Sequence, residues 1–433
     1  MRTDSEHHKA PPAWLRPLPG HYGWVVVVVG VLVTLSSLGL ARFAFGMILP
    51  SMGAGLQLSY GQMGAISTSN FIGYLVGALA SAPLTHRIGA RSTIVSALGM
   101  IAVSLAIVGF AGGFWVAAVA FTVTGLGSGV GNVAMVGLIS HWFLRSVRGR
   151  ASGLVVTGSG YAIMLSGVLI PLINQRFGAD GWRVSWFVLA AVTAIIGVLA
   201  LGALRNHPQD VGTTALGHAT KDAVPHEPVP VGEQRRTTLM LGVIYAFFGA
   251  SYIIYVTFIV TTLVDDRGFD ESAAGWFWFA VGFLSIFSGP IFGALSDRAG
   301  RKIGLAAVFA MHTVSFLLVG LDLPRPSLYL SVFFFGLAAW SIPGIMGAVV
   351  GDYMAPDQAV RSLGILTVFF GAGQAIGPAV AGVLADSSGN FNSSYLLAAG
   401  LAAVGAAGSL SMRQPGAATG SSTHEKSSTR EKP

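Results

Sequence analysis

The sequence predicts an all-α integral membrane protein, with twelve transmembrane helices in two pseudo-symmetric six-helix bundles. Three observations carry that expectation. Hydrophobic residues are 53% of the 433 and charged residues only 10%, against about 25% charged in an ordinary soluble domain. The apolar residues fall into runs near the ~20 residues that one helical crossing of a bilayer requires. Short charged motifs also recur in the two halves at one common offset. The 58 glycines suit spanning helices, because small residues let backbones approach closely.

The first run, 22–50, follows the polar, Pro-rich stretch MRTDSEHHKAPPAWLRPLPG, read as a cytoplasmic tail over 1–21. It is too long for a signal-peptide core and lacks a convincing cleavage site, so it is expected to be retained as a span. The next runs are 61–85 and 92–111, then 114–141 after a break marked only by AGG, and 151–175 and 183–204 complete a first bundle over 22–204. The segment 205–236 is polar and Pro-rich, which reads as a flexible cytoplasmic linker. A second bundle over 237–412 holds runs at 237–264, 271–295, 303–321, 327–350, 361–386 and 393–412. The tail 413–433 is low in complexity and expected to be disordered.

Lys and Arg concentrate on alternate connections. Twenty of the 25 lie in the tails, the linker and one set of loops, while the opposite loops carry only Arg176, Arg183, Arg267 and Arg325. The positive-inside rule then places both termini in the cytoplasm of a cell whose inner membrane the chain spans. The net charge of +7 sits beside the spans, so a nucleic-acid partner is not expected. Cysteine is absent, which excludes disulfides and thiolate metal sites. No nucleophile, metal cluster or phosphate loop appears, so neither an enzyme, a metal nor a cofactor is expected. The expected partners are a small organic anion and the lipid bilayer, and the expected state is a monomer.

One basic residue is unaccounted for. Arg42, in LSSLGLARFAFGMILPSM, is the single formal charge inside the hydrocarbon region, about six residues past the middle of the 22–50 run. A charge there costs at least ~2.5 kcal/mol if it faces lipid, so it should face an aqueous cavity. There its planar fork could hold a carboxylate bidentately. The structural alternatives are snorkelling to the outer interface or pairing with Asp265 or Asp266.

HRIGAR (86–91) aligns with DRAGRK (297–302) at an offset of 211, and RASG (150–153) aligns with RSLG (361–364) at the same offset. Two loops sharing one offset argue for related halves with a binding site between them near the midplane. At these residues the chain resembles the major facilitator superfamily of secondary transporters over nearly its whole length outside the tails and linker. GALSDRAGRK (293–302) matches that family's signature between its eighth and ninth helices. Its first-half copy, APLTHRIGAR, has Ala82, His86 and Ala90 where the family carries Gly, an acid and a base. HYGWVVV, ARFAFGMILPSM and GADGWRVSW are similar to the bacterial oxalate/formate exchangers and monocarboxylate transporter relatives. The eighth and eleventh spans lack the basic residues that many such transporters carry there, which disfavours a two-cation dicarboxylate site. Proton-linked drug antiporters fit less well, because Phe121 stands where they have Arg and the fifth span lacks their Gly-Pro motif.

Around Arg42, the candidate substrate ligands are Asn132, Tyr161, Tyr245, Tyr252, Tyr255, Trp340 and Gln374. Amides in hydrocarbon need partners, and the seventh-span tyrosines have spacings of seven and three, which put them on one helical face. An aromatic packing stripe is the plainer reading of those tyrosines. Asn70 and Tyr74 fit the same description more weakly. Trp276 and Trp278 read as an interfacial belt, and His312 as a satisfied structural histidine. Gating candidates are Asp297, Arg298, Arg301, Lys302, Arg87, Arg91 and Asp352. An acid ending the eighth span can cap a neighbouring helix and pair with its Arg, holding the halves shut on the inside. The expected function is alternating-access transport of a small organic anion, a monocarboxylate first, by proton symport or anion exchange. The alternative is export of neutral or amphipathic compounds with Arg42 structural.

Overall fold

A computed structural model describes residues 21–217 and 230–412. The expected tails before His21 and after Met412, and the middle of the linker, lie outside the described residues. The described chain is almost wholly helical: α1 Gly23–Leu56, α2 Tyr60–Ile88, α3 Ala90–Gly109, α4 Phe114–Trp142, α5 Arg145–Phe177, α6 Gly181–Ala203, α7 Val231–Asp266, α8 Glu271–Ala299, α9 Arg301–Gly320, α10 Pro326–Tyr353, α11 Pro356–Ser388 and α12 Asn392–Leu410. By length and composition alone, residues 146–203 form one apolar helical stretch of 58 residues. At 1.5 Å per residue that is about 87 Å, nearly three times the ~30 Å hydrocarbon core. The tight turn at Gly178–Asp180, where Gly178 adopts φ +60°, divides it into α5 and α6. An even number of crossings puts His21 and Met412, the two ends of the described chain, at one end of the molecule, here called the near end.

Helix ends follow from local chemistry. Ser59 caps α2 by accepting from Gln62 N, while the Gln62 side chain accepts from Ser59 N. Asp270 caps α8 through Ala273 N. Helices run up to six residues past the apolar limits read from the sequence, as at Leu56 and Arg145, because a helix does not end where the hydrocarbon does. The turn at Ala111–Gly113 falls where AGG marked it. Pro343 breaks α10 into Pro326–Ala338 and Ser341–Tyr353 around Trp340, since a proline clashes with the carbonyl four residues before it. Ser288 of α8 stitches that break, accepting from Trp340 N at 3.0 Å and contacting Ser341 Oγ at 2.6 Å.

Small residues set the packing. A Cβ on Gly125 or Gly129 of α4 would fall 1.9 Å from Asn70 O or 2.2 Å from Tyr74 O of α2, and Gly73 and Gly77 of α2 approach α4 as closely. Glycines four apart on both helices form one face-to-face seam. Trp276 and Trp278 part company. Trp276 is 63% exposed, but Trp278 is buried and donates to Ser166 Oγ of α5 at 3.2 Å. Two residues two positions apart point about 200° from each other on a helix, so only one of them faces lipid.

Contacts between the chain's first and second halves gather toward the far end. Gly160 and Gly167 of α5 abut Gly282 and Gly275 of α8, Gly64 of α2 abuts Pro378 of α11, and Gly46 of α1 abuts Val256 of α7. Ser67 bonds Thr257 at 3.2 Å, and Thr68 donates to Ala375 O at 2.6 Å. Among the described residues no hydrogen bond or ion pair crosses between the halves at the near end, where Arg301 pairs with Asp297 and Asp352 of its own half. The halves are shut at the far end and parted at the near end.

Candidate functional site

α1 changes winding where the function is expected. Residues Leu35–Phe43 are π-helical, with Ala44 N bonding Gly39 O. Such segments take an extra residue per turn and leave carbonyls to be satisfied from elsewhere. Two neighbours supply that. Ser128 Oγ of α4 donates to Ser37 O, and Asn70 Nδ2 of α2 donates to Ala41 O at 3.3 Å and Phe121 O at 3.0 Å. Arg42 is the penultimate residue of the segment. Because α1 runs to Leu56, Arg42 lies within about three residues, or about 4 Å, of the helix midpoint. That is deeper than the apolar run alone implied.

The Arg42 side chain is 8% exposed, and its guanidinium carbon sits 4.3 Å from the Phe71 ring centroid and 4.3 Å from that of Tyr74. These rings lie three residues apart on α2 and hold the cation by its π faces. Asp265 and Asp266 do not pair with it, and among the described residues none of the ion pairs involves Arg42. Asp266 instead accepts from Phe391 N at 3.0 Å. Nε and Nη2 of Arg42 are both buried with no hydrogen-bond partner. Their N–H bonds run parallel along one edge of the guanidinium, which is the edge that receives the two oxygens of a carboxylate.

The structure gathers four more of the sequence candidates around this edge. Asn132 Nδ2 donates to Tyr74 Oη at 3.0 Å. Gln374, 2% exposed, donates to Tyr252 Oη. The Tyr252 ring stands 5.9 Å from that of Trp340, which lies 5.0 Å from Phe43, next to Arg42. Trp340 Nε1 is also buried without a partner. The cluster thus takes Arg42, Tyr74 and Asn132 from one half and Tyr252, Trp340 and Gln374 from the other. Each tyrosine hydroxyl already accepts a bond and keeps its own proton to donate. The buried groups left unpaired here, Arg42 Nε and Nη2 and Trp340 Nε1, are all donors, which suits an anion, while the amide oxygens of Asn132 and Gln374 remain as acceptors.

Other candidates lie elsewhere. Tyr245 stacks on Phe370 at 4.4 Å and extends the aromatic wall toward the near end. Tyr255 points into the second half's own core, bonding Ser331 Oγ at 3.1 Å and stacking on Phe335 at 4.0 Å. Tyr161 is 43% exposed on α5 and makes no bond to the cluster among the described residues. His312 is buried among Phe248, Phe316 and Phe335 as a structural residue would be, yet neither ring nitrogen has a partner. A groove of about 680 Å³ between α3 and α4, lined by Met100, Val103, Ile107, Trp115 and Val119, is apolar and offers an anion nothing.

The gating candidates sit at the near end. Arg301 Nε donates to Asp352 at 2.6 Å, and its Nη1 to Asp297, so these three form one network inside the second half. Arg298 and Arg87 are exposed. Arg91 donates to Leu201 O at the end of α6, and its backbone N to Asn206 Oδ1 at 2.9 Å, again inside one half. Lys302 is half-buried beside Arg301. Among the described residues these groups make no bond across the halves, which are parted here.

Sequence reasoning missed the aromatic enclosure of Phe43, Phe71 and Phe370 and undervalued Tyr74. The available signal was the spacing of Asn70, Phe71 and Tyr74, a polar and aromatic set on successive turns of α2.

Residues 34–410 match the family described as uncharacterised MFS-type transporter YbfB. The chain is similar to the hexuronate transporter of Bacillus subtilis, 26% identical over 385 residues that cover 84% of this chain and 88% of the relative. It is also similar to monocarboxylate transporter 2 of Homo sapiens, 22% identical over 417 residues, covering 89% and 84%. Among solved structures, a bacterial homologue of the human lysosomal transporter Spinster, in an inward-facing and unoccupied conformation, superposes with a TM-score of 0.70 over 91% of this chain and 97% of that one. At 13% identity that likeness shows the fold.

Proposed function

We propose that this chain, which belongs to the major facilitator superfamily of membrane transporters, carries a small organic anion, a monocarboxylate first, across the cytoplasmic membrane by alternating access. The observation that carries this reading is the unpaired Nε and Nη2 edge of Arg42, buried at the centre of a twelve-helix membrane protein. Burying a charge without a partner is costly in the empty protein. An arginine that merely braced the scaffold would be bonded along that edge, which disfavours the export of neutral compounds with Arg42 structural. The named cargoes of the two relatives, hexuronates and monocarboxylates, share a carboxylate, and that shared group is what the free fork fits.

The geometry suggests a cycle. The anion enters from the near side, where the halves are parted, and docks on Arg42. Donors from the opposite half, Trp340 Nε1 and the Tyr252 hydroxyl, then close on it. Lysine and arginine placement supports a near end that faces the cytoplasm, with both termini inside. Two coupling schemes fit: exchange, in which Arg42 returns loaded, and symport, in which a proton travels with the acid. Counterflow separates them, since exchange is accelerated by anion on the far side.

The experiment is uptake of labelled lactate, pyruvate and formate into proteoliposomes, which should be saturable and inhibited by unlabelled carboxylates but not by neutral amphiphiles. Uptake inhibited by neutral compounds alone would refute the reading. Within it, Trp340→Phe keeps an aromatic ring, though a smaller one, and removes one donor, so KM is expected to rise about tenfold with a smaller loss of melting temperature than Trp340→Ala would cause. An unchanged KM would remove Trp340 from the site.

A further inference from the structure

The network expected to hold the halves together, Asp297 with Arg301 and Asp352, lies inside one half at the end that is open. The shut end is held by other residues. Asp386, two residues before the end of α11, reaches across the halves to the first turn of α2. Its Oδ1 accepts from Tyr60 N at 2.8 Å, and its Oδ2 accepts from Gly61 N at 2.9 Å and from Ser59 Oγ at 2.9 Å. Ser59 Oγ in turn accepts from Gln62 N at 3.2 Å. The unsatisfied donors opening α2 are thus met by a carboxylate from the other half, aided by the positive end of the helix dipole.

The approach is built for closeness. A Cβ on Gly61 would come within 2.6 Å of Asp386 Oδ2, and one on Gly382 within 2.4 Å of Tyr60 O. The Tyr60 ring lies 4.7 Å from that of Phe391, across the same seam. A second cross-half contact flanks it, where Asn174 Nδ2 of α5 donates to Glu271 Oε2 of α8 at 2.9 Å.

We infer that Asp386 is the far-side latch of the transport cycle: its bonds to the N-terminus of α2 hold the far gate shut and must break for the cavity to open there. The inference rests on the alternating-access reading but not on the nature of the cargo. Every group in the latch is exposed or lies at a helix end, so water can replace the bonds when the halves part. The latch therefore biases the two states without locking either.

The chain has no cysteine, so two introduced cysteines report without background. Spin labels on Ala179→Cys and Leu323→Cys lie on exposed far-end loops of opposite halves, and their separation can be read by double electron–electron resonance without any cargo. Asp386→Ala is expected to raise the long-distance population about tenfold, the effect of losing a helix cap, and Ser59→Ala to raise it less. Asp352→Ala, in the near-end network, should not raise it. Unchanged distance distributions in both Asp386→Ala and Ser59→Ala would overturn the latch. Should Asp386→Ala fail to fold, Ser59→Ala and Gly61→Leu, which displaces the carboxylate sterically, decide the matter by the same readout. Because no anion is added, a failed latch and a failed Arg42 reading give separate signatures.

Discussion

Arg42→Ala is expected to lower carboxylate uptake by about a hundredfold and, at the same time, to raise the melting temperature of the cargo-free protein. The first effect follows from losing two charge-assisted hydrogen bonds made in a water-poor site. Removing one partner of such a pair costs about 2–5 kcal/mol, and ~2.8 kcal/mol, within that range, is a hundredfold at 1.4 kcal/mol per decade. The second follows from the same two atoms. Nε and Nη2 are buried and unpaired in the empty protein, so removing the guanidinium relieves a desolvation cost that the cation–π contacts with Phe71 and Tyr74 offset only in part. Arg42→Lys should recover only part of the uptake, because an ammonium keeps the charge but lacks the fork that matches two oxygens. The checks are uptake in proteoliposomes and thermal melting in detergent. A variant that loses both uptake and stability would mean Arg42 braces the fold.

The largest structural effect is expected at Gly125. A Cβ there would lie 1.9 Å from Asn70 O and 2.8 Å from Asn70 C, both backbone atoms, so α2 and α4 must separate to admit even alanine. Overpacking of this kind costs about 1–3 kcal/mol and can exceed that where backbone must move. The loss should not stop at stability. Asn70 holds the carbonyls of Ala41 and Phe121, and Phe71 and Tyr74 on the same helix flank Arg42. Displacing α2 therefore displaces the anion site. Gly125→Ala should melt markedly lower and transport poorly, whereas Gly99→Ala, with open space around it, should be neutral or slightly stabilising. Equal melting temperatures for the two variants would contradict the seam.

Much of the fold was legible because a bilayer imposes a length and a polarity that the chain must meet residue by residue. The twelve spans, the even topology and the turn at AGG all follow from that constraint. Arg42 stood out for the same reason, as a charge where charges are expensive. The faces of the helices were less legible. α7 is the most buried of the spans, with 72% of its apolar window inside the protein. Its tyrosines therefore cannot be sorted by an apolar stripe, and spacing placed Tyr252 and Tyr255 together although they serve different cores. The π-helical winding of α1 left no periodic trace, yet it decides where Arg42 sits and which carbonyls Asn70 and Ser128 must satisfy. The gates were legible only in part. A charged motif flagged the near-end network, while the far-end latch rests on a lone aspartate and a glycine that mean little until α2 and α11 meet.

The free edge of Arg42 is proposed to bind a carboxylate. The most direct test is equilibrium binding of one monocarboxylate and its uncharged primary amide to the purified protein, wild type beside Arg42→Ala. Wild type should bind the acid at least about a hundredfold more tightly than the amide, and Arg42→Ala should erase that preference. Equal affinity for acid and amide in the wild type, or a preference for the acid that survives Arg42→Ala, would contradict the account.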